Sequence, residues 1–133
     1  MVLVDTNVLL DVVQDNPDWG DWAQRQLEAA SLRGPLAINA VIYAELSMAY
    51  ERIEDLDRVV QQTGLHELTI PREALFLAGK AFLQYRRRRG GRTGVLPDFL
   101  IGAHAAVTGT PILTRDVRRY RTYFPTVEIL GAN

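Results

Sequence analysis

The chain has 133 residues, of which 47% are apolar, a size and composition typical of one globular domain over residues 1–133. It has no cysteine, which excludes disulfides and thiolate metal sites, and it lacks the uncharged apolar run of about 18 residues that a membrane span requires. The formal net charge is −1, so total charge does not by itself indicate a polyanionic partner. We therefore expect a soluble, cytoplasmic protein.

Short β-type runs alternate with longer segments of helical spacing along the chain. Five strands are predicted, at residues 2–4, 36–39, 67–70, 111–114 and 127–130. Parallel strands joined by helices require helices on both faces of the sheet. The sequence therefore predicts an α/β fold, a three-layer α/β/α sandwich around a mainly parallel sheet of about five strands.

Between the strands, apolar residues recur at intervals of three and four in segments 19–29, 41–48 and 75–82, which predicts amphipathic helices. Residues typical of helix boundaries agree with this spacing. Those at predicted helix starts are Pro71, Pro97 and Asp116, and those at predicted helix ends are Gly34, Gly64 and Gly109.

Four acidic residues are placed where they can meet at one edge of the predicted sheet. In an open α/β sheet, ligands bind beyond the carboxyl ends of the strands, where the strand order reverses. Asp5 follows the first strand and Asp116 follows the fourth, so a reversal there would make them neighbours. Glu45 lies on the helix after the second strand, and Asp98 begins the helix before the fourth, where Gly102 leaves room one turn further on. All four acids can face one crevice.

Four carboxylates in one crevice repel each other, so we expect hard divalent cations to neutralise them. Oxygen ligands without thiolates or a convergent histidine pair favour Mg²⁺ or Mn²⁺ over zinc or copper. Such ions would bind a scissile phosphate and activate a water, which predicts phosphodiester hydrolysis. The main ligands are expected to be Asp5 and Asp116, with Asp98 and Glu45 as direct or water-mediated ligands.

Other polar residues accompany the acids. Asn7 and Thr114 are expected to support the site by hydrogen bonds to the carboxylates or to metal-bound waters. Nine of the 15 basic residues lie in two stretches beside acids, five in residues 86–92 and four in residues 115–121. Arginine suits bidentate phosphate contacts. The predicted contacts to a polyanion are Arg86, Arg87, Arg88, Arg89, Arg92 and Arg115.

Four segments resemble the acidic motifs of PIN-domain nucleases: MVLVDTNVLL, YAEL around Glu45, LPDFLIGAHA and ILTRD. The chain length and the segment RRGGRTGVLPDFLIGAHA are similar to those of VapC-type toxins of bacterial and archaeal toxin–antitoxin pairs. The resemblance implies a magnesium- or manganese-dependent endoribonuclease, usually a homodimer, that cuts an RNA substrate and is inhibited by a cognate antitoxin covering the acidic site. The catalytic acids that it implies are Asp5, Glu45, Asp98 and Asp116.

Each acid also has a purely structural explanation. Asp98 and Asp116 could satisfy amides at helix N-termini, Asp5 could be a turn residue, and Glu45 could be a solvated helix position. The chain would then be a non-catalytic α/β module that binds RNA or protein through its arginines.

A phosphatase with Asp5 as the covalent nucleophile is the other alternative. The sequence does not favour it, because position 7 is asparagine rather than a second acid and the only lysine, Lys80, lies in a helical segment. His104 stands on another face of the helix that carries Asp98, so we expect it in the core rather than at a metal.

Overall fold

The structure is a computed structural model that describes residues 1–88 and 95–131. Its described residues form a five-stranded sheet in the order β3-β2-β1-β4-β5, and every pair of neighbouring strands is parallel. The strands are β1 (Val2–Val4), β2 (Leu36–Asn39), β3 (His66–Leu68), β4 (Ile112–Thr114) and β5 (Ile129–Gly131). The predicted α/β class and parallel sheet are confirmed, with β3 and β5 displaced by one or two residues from their expected bounds and β4 beginning one residue later than expected.

Helices cover the sheet and complete the predicted three-layer α/β/α sandwich. They are α1 (Thr6–Val13), α2 (Gly20–Ser31), α3 (Ala40–Ser47), α4 (Ile53–Gln62), α5 (Arg72–Arg88), α6 (Leu96–Thr108) and α7 (Val117–Tyr123). Helices α1 and α4 are not among the amphipathic helices that the spacing of apolar residues predicts. Within residues 1–88 and 95–131, no helix combines the length and apolar character that crossing a bilayer requires.

The centre of the sheet places the candidate site. Strand β1 lies between β2 and β4, and its residues are at most 1% exposed, as expected for a strand covered on both faces. Val4 pairs with Leu113, and the Asp5 amide continues the ladder by donating to the Leu113 carbonyl over 2.9 Å. The carboxyl ends of β1 and β4 are therefore neighbours, as the strand-order argument requires, and residues just beyond them share one edge of the sheet.

His104 lies in the core, in agreement with the sequence. It is 2% exposed on α6, and burial lowers the pKa of its imidazole. Asn39 Nδ2 donates to His104 Nδ1 over 3.0 Å, while Asn39 Oδ1 accepts from the Ile42 amide and caps α3. The imidazole thus fixes the cap of the helix that carries Glu45.

Gly102 has a different role from the one the sequence suggests. A Cβ at this position would overlap ring atoms Cδ2 and Cε2 of Phe124, a residue only 3% exposed at the end of α7. The space that glycine leaves on α6 is therefore filled by an aromatic ring and does not open toward the acids. This close approach sets the distance between α6 and α7.

Candidate active site

Asp5 is fixed by hydrogen bonds at the edge of the sheet. Its Oδ1 accepts from the Thr6 amide over 2.8 Å, which makes Asp5 the N-cap of α1. Its Oδ2 accepts from Thr114 Oγ1 and from the Tyr120 hydroxyl, each over 2.9 Å, and Asn7 Nδ2 lies 3.4 Å away. The side chain is 4% exposed. Both residues predicted to support the acids, Asn7 and Thr114, thus contact Asp5.

The pKa of Asp5 is raised from 3.8 to about 6, chiefly by burial and to a smaller extent by the negative charge of Asp98. The hydrogen bonds from Thr114, Tyr120 and Thr6 act in the opposite direction, but they do not offset the burial. Ionised Asp5 is therefore held in a place where its charge costs free energy. Asp98, distant in sequence, is close enough to add to that cost.

Asp98 interacts with each of the other three acids. It lies in the first turn of α6, whose N-cap is Val95, and its Oδ2 accepts a short hydrogen bond from Arg119 Nη1. Burial is the largest of the effects that raise the pKa of Asp98. The Arg119 guanidinium lowers it, and the charges of Glu45 and Asp116 raise it. Asp98 also raises the pKa of Asp5, so the four acids occupy one electrostatic neighbourhood.

Glu45 is linked to Asp5 through Thr6. Thr6 Oγ1 donates to Glu45 Oε1 over 2.6 Å, while the amide of the same residue donates to Asp5 Oδ1. Glu45 lies near the end of α3 and is half-buried. One residue at the start of α1 therefore positions two of the predicted acids.

Asp116 is the exposed member of the group. Its amide donates to Thr114 Oγ1 over 3.0 Å, and it precedes α7 without any side-chain capping hydrogen bond. The side chains of Asp98 and Asp116 therefore make no capping hydrogen bond, as the structural explanation would require. Among the four acids, Asp5 is the one whose side chain caps a helix.

The four acids share one edge of the sheet without gathering tightly. Among the described residues, no three acidic or histidine side chains lie close enough together to hold one ion as they stand. In this arrangement Thr6 is hydrogen-bonded to Glu45 and Arg119 to Asp98.

The chemistry of this donor set fits a hard divalent cation. Every donor is a carboxylate oxygen, and the mutual repulsion between Asp5 and Asp98 would be relieved by positive charge. Asp5 Oδ1 accepts a single hydrogen bond, which leaves it a lone pair for a ligand.

The predicted arginines lie in different surroundings. Arg86, Arg87 and Arg88 form the exposed last turn of α5, whereas Arg89 and Arg92 lie outside the described residues. Arg115 forms a bidentate ion pair with Asp11, at 2.7 and 3.2 Å, and lies 5.2 Å above the Trp19 ring. Its guanidinium is thus engaged within the protein, and RNA contact by these arginines stays a prediction.

Three residues that contact the acids escape the sequence analysis, namely Thr6, Arg119 and Tyr120. Burial and the charges of Asp5 and Asp98 raise the pKa of Tyr120 well above its usual range, so its hydroxyl remains a donor to Asp5. Its spacing of four residues from Asp116, one turn along α7, is the signal that could have identified it.

The chain has a parallel α/β fold with Asp5 and Asp116 beyond the carboxyl ends of its central strands, the edge at which such folds bind ligands. The chain belongs to the PIN domain family, whose model matches residues 2–125. PIN domains are nucleases that generally use divalent metal ions. The resemblance found in the acidic motifs is thereby confirmed at the level of the family.

Solved structures with similar folds come from several bacteria. They include VapBC2 from Rickettsia felis bound to a DNA fragment from their promoter, at 17% identity and a TM-score of 0.72, covering 97% of each chain. A toxin-antitoxin complex from Klebsiella pneumoniae has 21% identity and a TM-score of 0.64, covering 96% of this chain and 95% of the other. FitAcB from Neisseria gonorrhoeae has 17% identity and a TM-score of 0.68, covering 98% and 97%. No curated protein matches the sequence.

Proposed function

We propose that this chain is a metal-dependent endoribonuclease that hydrolyses RNA phosphodiester bonds with Mg²⁺ or Mn²⁺ at Asp5, Glu45, Asp98 and Asp116. The observation that carries the proposal is the burial of Asp5 within reach of the charge of Asp98. A protein that needed only a helix cap could use a neutral side chain there. A carboxylate whose burial and neighbours oppose its charge is typical of a functional site. Membership of a nuclease family supports the same conclusion.

The chain's own residues prepare this site. Thr114 and Tyr120 donate to Asp5 Oδ2 and fix the plane of its carboxylate, while Thr6 orients Glu45. Arg119 partly neutralises Asp98, which lowers the repulsion that the group must tolerate. A bound divalent ion would supply Lewis-acid stabilisation of the phosphate and lower the pKa of the attacking water. The exposed carboxylate of Asp116 is the one that substrate meets first.

The first test is cleavage of total RNA by the purified protein, with Mg²⁺ or Mn²⁺ and with EDTA. We expect cleavage that EDTA abolishes and that Asp98→Asn lowers by about 100-fold or more, because the substitution removes a charged ligand. Asp21→Asn is a matched control, since Asp21 is also a first-turn acid, on α2, and lies in none of the contacts described above. If both variants cleave as the wild type does, the acids act only on their helices and the proposal is wrong.

We further propose that the nuclease is the toxin of a toxin–antitoxin pair, forms a homodimer, and acts in the cytoplasm. Its similarity in fold to a toxin-antitoxin complex, over nearly the full length of both chains, supports this role. We expect the product of an adjacent short gene that encodes a DNA-binding protein to bind the chain and suppress its RNA cleavage. The measurement is RNA cleavage with increasing amounts of that protein. Undiminished cleavage at excess would leave the nuclease proposal standing without the toxin role.

A further inference from the structure

A cavity of about 520 Å³ opens between α5 and α7, directly beside Asp116. Its volume is in the range of sites that hold a small organic group. Besides Asp116, its walls are formed by Tyr85, Arg88, Arg118, Arg119, Thr122 and Tyr123. Neither tyrosine belongs to the predicted site, and no role in the contacts between the acids accounts for them.

The cavity is part of a longer basic groove. A second cavity, of about 490 Å³, adjoins the first and shares Asp116, Arg118 and Thr122 with it. Arg115 and Arg121 also contribute to its walls. Arginine residues therefore line both of the cavities that Asp116 borders. A polyanionic strand that follows this groove would pass over the exposed acid of the site.

One wall of the first cavity combines aromatic rings with guanidinium groups. The rings of Tyr85 and Tyr123 meet edge to face, with centroids 6.2 Å apart. Arg119 lies 5.7 Å over the Tyr85 ring, and Arg88 lies 5.7 Å over the Tyr123 ring. Aromatic rings and guanidinium planes are the two kinds of surface on which unpaired nucleic acid bases stack.

The core holds this wall in place. Both tyrosines pack against Phe99, which is fully buried, with centroid distances of 5.5 Å from Tyr85 and 5.1 Å from Tyr123. A stacking surface whose rings are fixed before binding loses little conformational entropy when a base arrives. An acidic peptide would need only the arginines, and the tyrosine pair would then have no function in recognition.

We propose that this cavity is a nucleotide subsite that takes one unpaired base of single-stranded RNA next to the scissile phosphate, a proposal that rests on the ribonuclease function. The base stacks on the wall formed by Tyr85, Tyr123 and the guanidinium groups over them. Arg118 contacts the neighbouring phosphates from the boundary between the two cavities. Bases inside a duplex cannot reach such a wall, so unpaired segments are the preferred substrates.

The test is binding in EDTA, where cleavage does not interfere. Fluorescence anisotropy compares a short labelled single-stranded RNA with an abasic strand of the same length. We expect the wild type to bind the RNA about 5- to 150-fold more tightly, which corresponds to about 1–3 kcal/mol for one stacked base. A variant that combines Tyr85→Leu with Tyr123→Leu should bind both strands with similar affinity.

Matched variants separate stacking from folding and from charge. Tyr43→Leu changes a tyrosine on α3 that lines a different cavity, and it should keep the full preference for bases. Tyr123→Phe retains the ring and should also keep it. Arg118→Gln, at an exposed residue, should lower the slope of log affinity against log salt by about 0.7 without changing the preference.

Equal binding of the two strands by the wild type would overturn the subsite and leave an acidic polypeptide as its occupant. Duplex RNA that binds as tightly as the single strand would also overturn the subsite, because its bases cannot reach the wall. Base-dependent binding without cleavage in Mg²⁺ or Mn²⁺ would instead refute the nuclease function while the subsite stands. If the double tyrosine variant fails to fold, Arg88→Ala replaces it, because Arg88 is exposed and covers one ring, and its loss should weaken the preference for bases.

Discussion

Asparagine in place of Asp5 is expected to lower metal-dependent RNA cleavage by about 100-fold or more while leaving the metal-free protein at least as stable as the wild type. Asparagine is as good an N-cap as aspartate, so the hydrogen bond from the Thr6 amide survives. The hydroxyls of Thr114 and Tyr120 can accept as well as donate, so they can reorient toward an amide. The substitution therefore removes the charge and keeps the local structure.

The pH dependence of stability follows from the same carboxylate. The pKa of Asp5 is about 6 in the folded protein, whereas its ordinary value of 3.8 applies to the unfolded chain. The folded state therefore binds the proton more tightly than the unfolded state. Stability therefore falls as pH rises from about 4 to about 6. Above that window the full penalty applies, about 3 kcal/mol for a shift of about two pKa units. Asp5→Asn should lack this contribution.

Urea unfolding of the wild type and of Asp5→Asn in EDTA, at pH 4 and pH 7.5, measures this change in stability with pH. The same experiment with Mg²⁺ tests whether Asp5 is a metal ligand. We expect Mg²⁺ to stabilise the wild type and to have little effect on Asp5→Asn. Asp5→Ala, which loses the cap as well, should be less stable than Asp5→Asn by about 0.5–2 kcal/mol in both conditions. A wild type that Mg²⁺ does not stabilise would contradict the assignment of Asp5 as a ligand.

Alanine in place of Gly102 is expected to destabilise the protein by about 1–3 kcal/mol, because the added Cβ must displace the buried ring of Phe124. Alanine favours a helix by about 1 kcal/mol over glycine, so a net loss means that overlap outweighs propensity. Since Phe124 directly follows α7, the displacement should also move Arg119 and Tyr120 away from Asp98 and Asp5. Cleavage should fall together with stability.

Gly79→Ala is the control for this prediction. Gly79 lies in α5, and a Cβ there would meet nothing within 4 Å. The substitution should therefore raise stability by about 0.5–1 kcal/mol through the helix propensity alone. Urea unfolding of the two variants at one pH measures both effects. If Gly102→Ala is stabilising like Gly79→Ala, the packing of α6 on α7 through Phe124 is not what limits this position.

The parts of the fold that the sequence predicts well are those with a local physical signal. The apolar runs of β1 and β2 predict their bounds, because a strand buried on both faces needs apolar side chains throughout. The bounds of β3 and β5 are less well predicted, because such short edge strands are defined by where their neighbour offers hydrogen bonds.

In the candidate site, too, some features can be predicted from the sequence and others cannot. Asp5 and Asp116 can be placed together from strand order alone, since the carboxyl ends of β1 and β4 must meet. The hydrogen bond from Tyr120 to Asp5 joins residues 115 positions apart and depends on how α7 packs, which no local pattern encodes. The ion pair of Arg115 with Asp11 is equally long in range, so no local pattern predicts it.

The strand order also determines when the acidic group can assemble during synthesis. Strand β1 is translated long before β4, although the two are neighbours in the sheet. A ribosome-bound chain that ends before residue 110 lacks Thr114, Asp116 and Tyr120, so Asp5 has neither its hydrogen-bond donors nor its acidic partner on that side. Folding of this region waits for non-local pairing, which is slow compared with helix formation. A nascent or truncated polypeptide that ends before β4 therefore lacks the assembled acidic group, which forms only after residues 112–123 have been translated.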